Sequence, residues 1–417
     1  MTLAGLSLAY QRDRALNTAL NVLLLTLGVA TMVILVLFSA QLGERFERDA
    51  RGIDLVVGAK GSPLQLILSS IYQVDVPTGN IPLSTVETLR SDPTIGAVIP
   101  LAQGDSFRGF RIVGTEPAYV EHYGGETAQG RLWQAPSEAV LGAEVARRTG
   151  AGLGQAFVGS HGMAGDGQAH QETPFRVVGV LAPTGTVLDR LILTSVESVW
   201  DVHGIAHAEA GGHEEAHEHE HAAPAANASI RGDHGEAEVT AMLVKYRSPL
   251  AAVRLPNFIN RQTELQAAAP AVETARLLSL VGVGVDAARG FALLLILTSG
   301  LSIFVALYTA LRQREADMAL LRVMGARPVA IFGQILLEGL LLAAAGALLG
   351  VAVGHGVVAL AAGAFDQLGD LGLSAFAFEP AEAWIVAGAL AMGALAALIP
   401  AARVFGVDIA DTLQHAS

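Results

Sequence analysis

The stretch RQREADMALLRVMGARP, Arg312–Pro328, carries six charged residues, four of them arginines, between two of the most apolar segments of a 417-residue chain. No charge occurs between Arg289 and Arg312, and Glu338 alone interrupts the apolar run from Pro328 to about Gly356. About 20 apolar residues span a bilayer as a helix, so both flanks are long enough to cross. A charged turn between two spans belongs at a membrane surface, and something there must meet it.

Two further spans lie outward from this pair. No charge occurs between Arg14 and Glu44, or between Glu382 and Arg403. The apolar run Ala19–Phe38 exceeds the roughly 7–15 residues of a cleaved signal core, which predicts an uncleaved anchor. Arg12 and Arg14 precede the first span, four arginines separate the second from the third, and Arg403 follows the fourth. The connection from the third to the fourth holds Asp366, Asp370, Glu379 and Glu382 and no basic residue. The positive-inside rule therefore predicts cytoplasmic termini and a cytoplasmic 312–328 turn. The long, net acidic segment between the first two spans is expected outside.

Composition agrees with this mixture. The chain is 52% hydrophobic and 16% charged, too apolar for an ordinary soluble protein and too charged for membrane throughout. The absence of cysteine excludes disulfides, thiolate metal sites and thiol chemistry. A formal charge of −13 argues against nucleic acid as a partner, because phosphate binding needs a basic face.

The predicted fold class is four transmembrane helices with a large mixed α/β extracytoplasmic domain between helices 1 and 2. The expected divisions are 1–42, 43–285 and 286–417. Within the external part, strands are expected at Ile53–Ala59, Phe107–Gly114, Pro174–Leu181, Arg190–Thr194 and Val239–Tyr246. Ser84 and Glu87 have capping-box spacing, and Ser195–Val202 reads as a short amphipathic helix. Residues 203–238 are acidic, His-rich and of low complexity, with little to bury, which predicts a disordered loop. GAKGSP, Gly58–Pro63, lacks phosphate-loop spacing and is read as a turn.

Within the charged turn, EADMALLRVM contains good helix formers and neither Gly nor Pro. Gly325 suits the left-handed conformation that ends a helix, and Pro328 suits the start of the next. Ala316, Leu320, Val323 and Met324 form an apolar stripe, with Arg314, Glu315, Asp317 and Arg322 around it. By chemistry alone this is either an interfacial anchor with snorkelling arginines or a docking helix.

Here the sequence resembles a known family. RQREADMALLRVMGARPVAIFGQILLEGLLLAAAGALLG is similar to the signature of the FtsX/MacB-type ABC transporter permeases, in which an Arg-x-x-Glu…Leu-Arg…Gly-Ala run precedes a glutamate and a Gly-rich span. The matching positions are Arg312 or Arg314, Glu315, Leu321, Arg322, Gly325, Ala326, Glu338, Gly346 and Gly350. The tail, through Pro400, Ala401, Arg403, Asp408 and Leu413, is similar to the family's closing pattern, and IVGTEP, QGRLW, AVLGAEVARR and FRVVGVL resemble its external domain. The resemblance implies a permease subunit of the bacterial inner membrane, forming a homodimer or pseudo-symmetric heterodimer with a separate cytoplasmic ABC ATPase. It assigns ATPase coupling to Arg314, Glu315, Leu321, Arg322, Gly325 and Ala326, and an amphipathic helix to the N-terminal GLSLAYQRDRALNTAL. It also implies transmission of ATPase movement to the external domain, which would handle or extrude a substrate, with or without an extracytoplasmic partner protein. No Gly-x-x-x-x-Gly-Lys-Ser/Thr phosphate loop occurs in the chain, so a separate ATPase is needed and an enzyme reading is poor.

Three features stand beside this reading. Glu338 lies about ten residues, roughly 15 Å, into its span and is expected to be structural or coupling rather than a proton relay. Gly346, Gly350 and Gly354 form a small-residue stripe for helix packing, with the partner helix unspecified. Seven of twelve histidines fall in residues 203–234, and His213, His217, His219 and His221 alternate with glutamates. That cluster could hold Zn2+ or another divalent transition metal, or be a solvated linker that binds metal incidentally. The alternative functions are a mechanotransmitting regulator of a cell-wall hydrolase and a metal-sensing or metal-handling membrane protein.

Overall fold

The computed structural model describes residues 11–12, 14–161, 174–203, 237–314, 318, 322–364 and 374–406. Its helices are α1 (Ala15–Ala50), α2 (Pro63–Ser70), α3 (Ser84–Arg90), α4 (Pro117–His122), α5 (Ala143–Thr149), α6 (Val196–His203), α7 (Pro249–Gln262), α8 (Pro270–Gln313), α9 (Pro328–Ala364) and α10 (Pro380–Arg403). Four of them, α1, α8, α9 and α10, are long and apolar enough to cross a membrane. The chain divides into two units: Arg45–Ser279, and Met1–Glu44 with Leu280–Ser417.

The first unit is the mixed α/β domain. Its sheet contains β1 (Leu55–Ala59), β3 (Ile95–Phe107), β4 (Phe110–Gly114), β5 (Thr127–Gly130), β6 (Glu138–Leu141), β9 (Phe175–Leu181), β10 (Leu191–Thr194), β12 (Ala241–Tyr246) and β13 (Leu265–Ala268). Their order is β13-β1-β12-β3-β4-β10-β6-β9-β5. Strand β7 (Ala156–Phe157) pairs with β9, β8 (Ser160–His161) pairs with β3, and β2 (Ile81–Pro82) pairs separately with β11 (Glu238–Val239). β4 with β10 and β6 with β9 are parallel, whereas β1 and β12 run antiparallel. Side-chain alternation sorts the core into two layers: Val56 and Leu243 join Leu66, Leu101 and Leu193, while Leu55, Val57, Met242 and Val244 face Val98 and Leu255.

Several local expectations change. Phe107–Gly114 is a hairpin rather than one strand, because Arg108 (φ 49°) and Gly109 (φ 83°) make a two-residue turn between β3 and β4. The last expected strand breaks at Thr240, whose N–H and hydroxyl both donate to the Leu101 carbonyl at 2.8 Å. Ser84 is already helical behind an N-cap at Leu83, so the capping box does not form and Glu87 accepts from Arg90 at 3.1 Å. The Lys60 ammonium donates to the carbonyls of Asn260, Thr263 and Leu265, at 2.8, 3.3 and 3.2 Å, and so ties the turn after β1 to the end of α7.

The last turns of α1 and the first turns of α8, as far as Ser279, belong to this α/β unit and are fastened inside it. The Tyr72 hydroxyl lies 2.6 Å from the Thr274 hydroxyl, and its ring lies 4.5 Å from that of Phe46. Buried Asp49 accepts the Val187 N–H on its carboxylate at 3.0 Å, and its carbonyl accepts the Tyr123 hydroxyl at 2.8 Å.

The second unit is helical and closely packed through small residues. A Cβ built on Gly346, Gly350 or Gly354 would lie 2.9 Å from Leu25, 2.6 Å from Val29 and 2.9 Å from Val33 respectively. The partner of this glycine stripe is thus α1 of the same chain. Gly339 and Gly393 bring α9 and α10 together in the same manner, beside Ala397 and Ala343. Polar side chains add cross-links: Ser302 donates to the Asn21 amide oxygen at 2.5 Å, and Thr26 to the Gly346 carbonyl at 3.3 Å.

Candidate coupling site at the charged turn

Helix α8 ends at Gln313, two residues into the charged turn. Arg312 lies over the Tyr308 ring at 5.7 Å, and Arg403, at the end of α10, lies over the same ring at 4.7 Å. Arg403 also donates to the Tyr308 hydroxyl at 2.8 Å. One aromatic ring therefore gathers two cations from helix ends distant in sequence. Stacking on the ring face and a hydrogen bond to its edge hold α8 and α10 together there.

Arg314 reaches α9, where its guanidinium lies 4.0 Å from the Glu338 carboxylate. Glu338 is buried, so this charge has the opposite-charge partner that a low-dielectric setting demands. The Gln11 amide donates to the Glu338 carbonyl at 3.3 Å, Thr18 donates to the Gln11 carbonyl at 3.1 Å, and Arg14 donates to the Gln313 side chain. The residues leading into α1, the end of α8 and the first part of α9 thus meet near Glu338. Beneath them Leu311, Met318, Ile331 and Val404 form a small apolar cluster against which Ala326 and Ile335 pack.

Gly325 has φ +99°, a conformation that suits glycine, and its N–H donates to the Arg322 carbonyl at 3.1 Å. Pro328 then opens α9. Val323 and Met324 are 63% and 76% exposed, whereas Met318 is buried in the cluster. Of the expected apolar stripe, Val323 and Met324 are thus exposed, and Ala316 and Leu320 lie outside the described residues. Glu315 and Leu321 lie outside the described residues, as do His213, His217, His219 and His221. Among the described residues no group of three or more metal-ligating side chains is assembled.

Tyr308, Gln11 and Gln313 escaped the sequence reading. Tyr308 sits in an apolar run where an aromatic is ordinary; Arg312 follows it at i,i+4 spacing, but Arg403 is signalled by nothing local.

Comparison with known proteins identifies the frame that carries this site. A model of the MacB-like periplasmic core domain matches residues 18–248, more than half of the chain, and one of the FtsX-like permease C-terminal domain matches residues 289–409. The chain belongs to the FtsX/MacB-type ABC transporter permease family. The permease is similar to the periplasmic region of MacB from Actinobacillus actinomycetemcomitans, at 16% identity and a TM-score of 0.34, over 55% of this chain and 95% of that one. It is also similar to the extracellular domain of the noncanonic ABC-type transporter YknZ from Gram-positive bacteria, at 11% identity and a TM-score of 0.30, over 52% and 98% of the two chains. No curated protein matched. The family assignment makes this permease an ABC transporter component and a membrane protein, in a family whose membrane subunit typically lacks an ATPase site of its own.

Proposed function

We propose that this permease takes up the movement of a separate cytoplasmic ATPase at the 312–328 turn and passes it to its α/β domain, which acts on a substrate outside the cytoplasm. The observation that carries the reading is the Arg314–Glu338 pair, which ties the charged turn to α9 while Val323 and Met324 stay exposed beside it. A turn fastened on one side and apolar on the other suits a protein cleft better than water. Opposite charges flanking the apolar contact would fix the docking register. The clasp of Tyr72 on Thr274 and Phe46 gives the α/β domain a direct hold on the ends of α1 and α8. Displacement of those helices would be received there.

Affinity purification of the tagged chain from native membranes tests this. The native chain is expected to retain an ATPase bearing a phosphate loop, and charge reversal at Glu315 and Arg322 to release it. Glu338→Gln is expected to keep the ATPase bound and to weaken the effect of the permease on its ATP hydrolysis, because docking and transmission use different residues. A native, intact permease that retains no ATPase in several mild detergents would overturn the proposal. Co-purification of a cell-wall hydrolase would mark the mechanical alternative.

A further inference from the structure

At the opposite end of α9 from the charged turn, His355 faces the connection Ser374–Glu379 and the first turn of α10. Its Nδ1 lies 2.6 Å from the Ala375 carbonyl oxygen and its Nε2 lies 2.9 Å from Oε2 of Glu382. Both partners are acceptors. The other Glu382 oxygen accepts the Glu379 N–H at 2.9 Å, and the Glu379 side chain completes a capping box at the start of α10. The two side chains are mostly buried, 13% exposed for His355 and 7% for Glu382.

A neutral imidazole has one N–H and satisfies one acceptor. With Nδ1–H directed at Ala375, the Nε2 lone pair would meet a carboxylate unless one more proton lies between Nε2 and Oε2. That proton belongs to the pair rather than to either residue. We propose that His355 and Glu382 form a proton-binding clasp. With the proton bound, Ala375 and α10 are held to α9; when it leaves, one of the two bonds is lost.

Among the described residues, the charged groups at the clasp are Glu382 and Glu379, both from the α10 side. Helix α1 contributes only the neutral Gln41, whose amide donates to the Ser374 carbonyl at 3.0 Å and accepts the Ser374 N–H at 2.7 Å. The Phe378 ring lies 4.7 Å from the imidazole. The connection therefore has one fastening that titrates and one that does not. After proton loss the one remaining N–H goes to the charged Glu382 carboxylate, the stronger acceptor, so the Ala375 bond is the one lost and residues 375–378 are freed while Ser374 stays anchored. On the topology proposed above, the clasp faces outside, so external acidity would set how tightly α9 and α10 are joined. The clasp itself rests on distances that hold in either orientation.

The absence of cysteine makes the test direct. Phe376 is 88% exposed, so a spin label on Phe376→Cys in the full detergent-solubilised chain reports the connection, with Trp384→Cys as a reference on α10. From about pH 5 to about pH 9, across which imidazoles titrate, the mobile-to-immobile ratio at 376 is expected to rise. Around the midpoint it should change about tenfold per pH unit, as one proton requires, while the reference stays constant. His355→Ala should be mobile throughout. Glu382→Gln should stay immobile throughout, because its amide can donate to Nε2 and a neutral imidazole then keeps both bonds. A flat native response would overturn the clasp, as would a titration that survives His355→Ala or one unchanged in Glu382→Gln. If the alanine variant does not fold, the native and Glu382→Gln curves decide alone. This detergent measurement uses neither the ATPase nor membrane orientation, so its failure leaves the proposed function standing, and the reverse holds too.

Discussion

In the α/β unit Leu101 and Leu193 are wholly buried in a sheet core, while in the helical unit small residues, Gly350, Gly339 and Gly393 with Ala397 and Ala343, sit at the closest helix crossings. Leu297 and Leu301 of α8 are more than half exposed, which would be costly in water and is ordinary against lipid tails. The contrast shows two ways of holding a fold. In water, large apolar side chains leave solvent and drive assembly. In a bilayer they gain little by leaving lipid, so close backbone approach and a few polar links must do more. The first unit is therefore vulnerable to truncation and the second to enlargement.

That comparison can be broken by substitution. The largest effect is expected from Leu101→Ala, which should destabilise the α/β unit by about 2–5 kcal/mol, measured by denaturant unfolding of the full chain. Leu297→Ala should leave stability nearly unchanged. If the two cost the same, the contrast is wrong. Next comes Gly350→Val, whose added atoms meet Val29 at 2.6 Å from the new Cβ; a loss of about 1–3 kcal/mol is expected by thermal unfolding in detergent. Gly356→Val, on the same helix with nothing within 4 Å of a built Cβ, is the control and should be tolerated.

The smallest effect sharpens the α/β side. Glu138 accepts from Arg131 at 2.7 and 2.5 Å and from the Gln134 N–H at 2.8 Å, and these bonds hold its carboxyl down at about 2. A depressed carboxylate contributes stability that is present above its unfolded value near 4.3 and is lost as pH falls towards about 2. The group is close to solvent, so screening limits the loss to about 1 kcal/mol or less. Acid unfolding of Glu138→Gln should show a correspondingly flatter slope between about pH 4 and pH 2.

The sequence disclosed the helical unit more readily than the sheet. Long charge-free runs signal spans by themselves, and Arg12, Arg14 and the arginines of the 312–328 turn suggest an orientation. Strand β3, which lies between β12 and β4, was missed because Gly96, Pro100, Gly104 and polar Gln103 and Asp105 obscure its alternation. Arg108 hid the hairpin, since a non-glycine residue at positive φ carries no turn signature. At the coupling site Glu338 and the arginines were visible as residue types, but their pairing was not. Arg314 lies 24 positions from Glu338 and Arg403 lies 95 from Tyr308, so chain folding alone brings them together.

The central claim is that the charged turn lies in the cytoplasm and is covered by an ATPase. Val323→Cys, on an exposed residue of a chain without cysteine, permits its direct test with a membrane-impermeant maleimide. The expected result is no labelling in intact cells, labelling in inverted vesicles stripped of peripheral proteins, and protection when the co-purified ATPase is added back. Labelling from outside intact cells, or labelling unaffected by the bound ATPase, would contradict it.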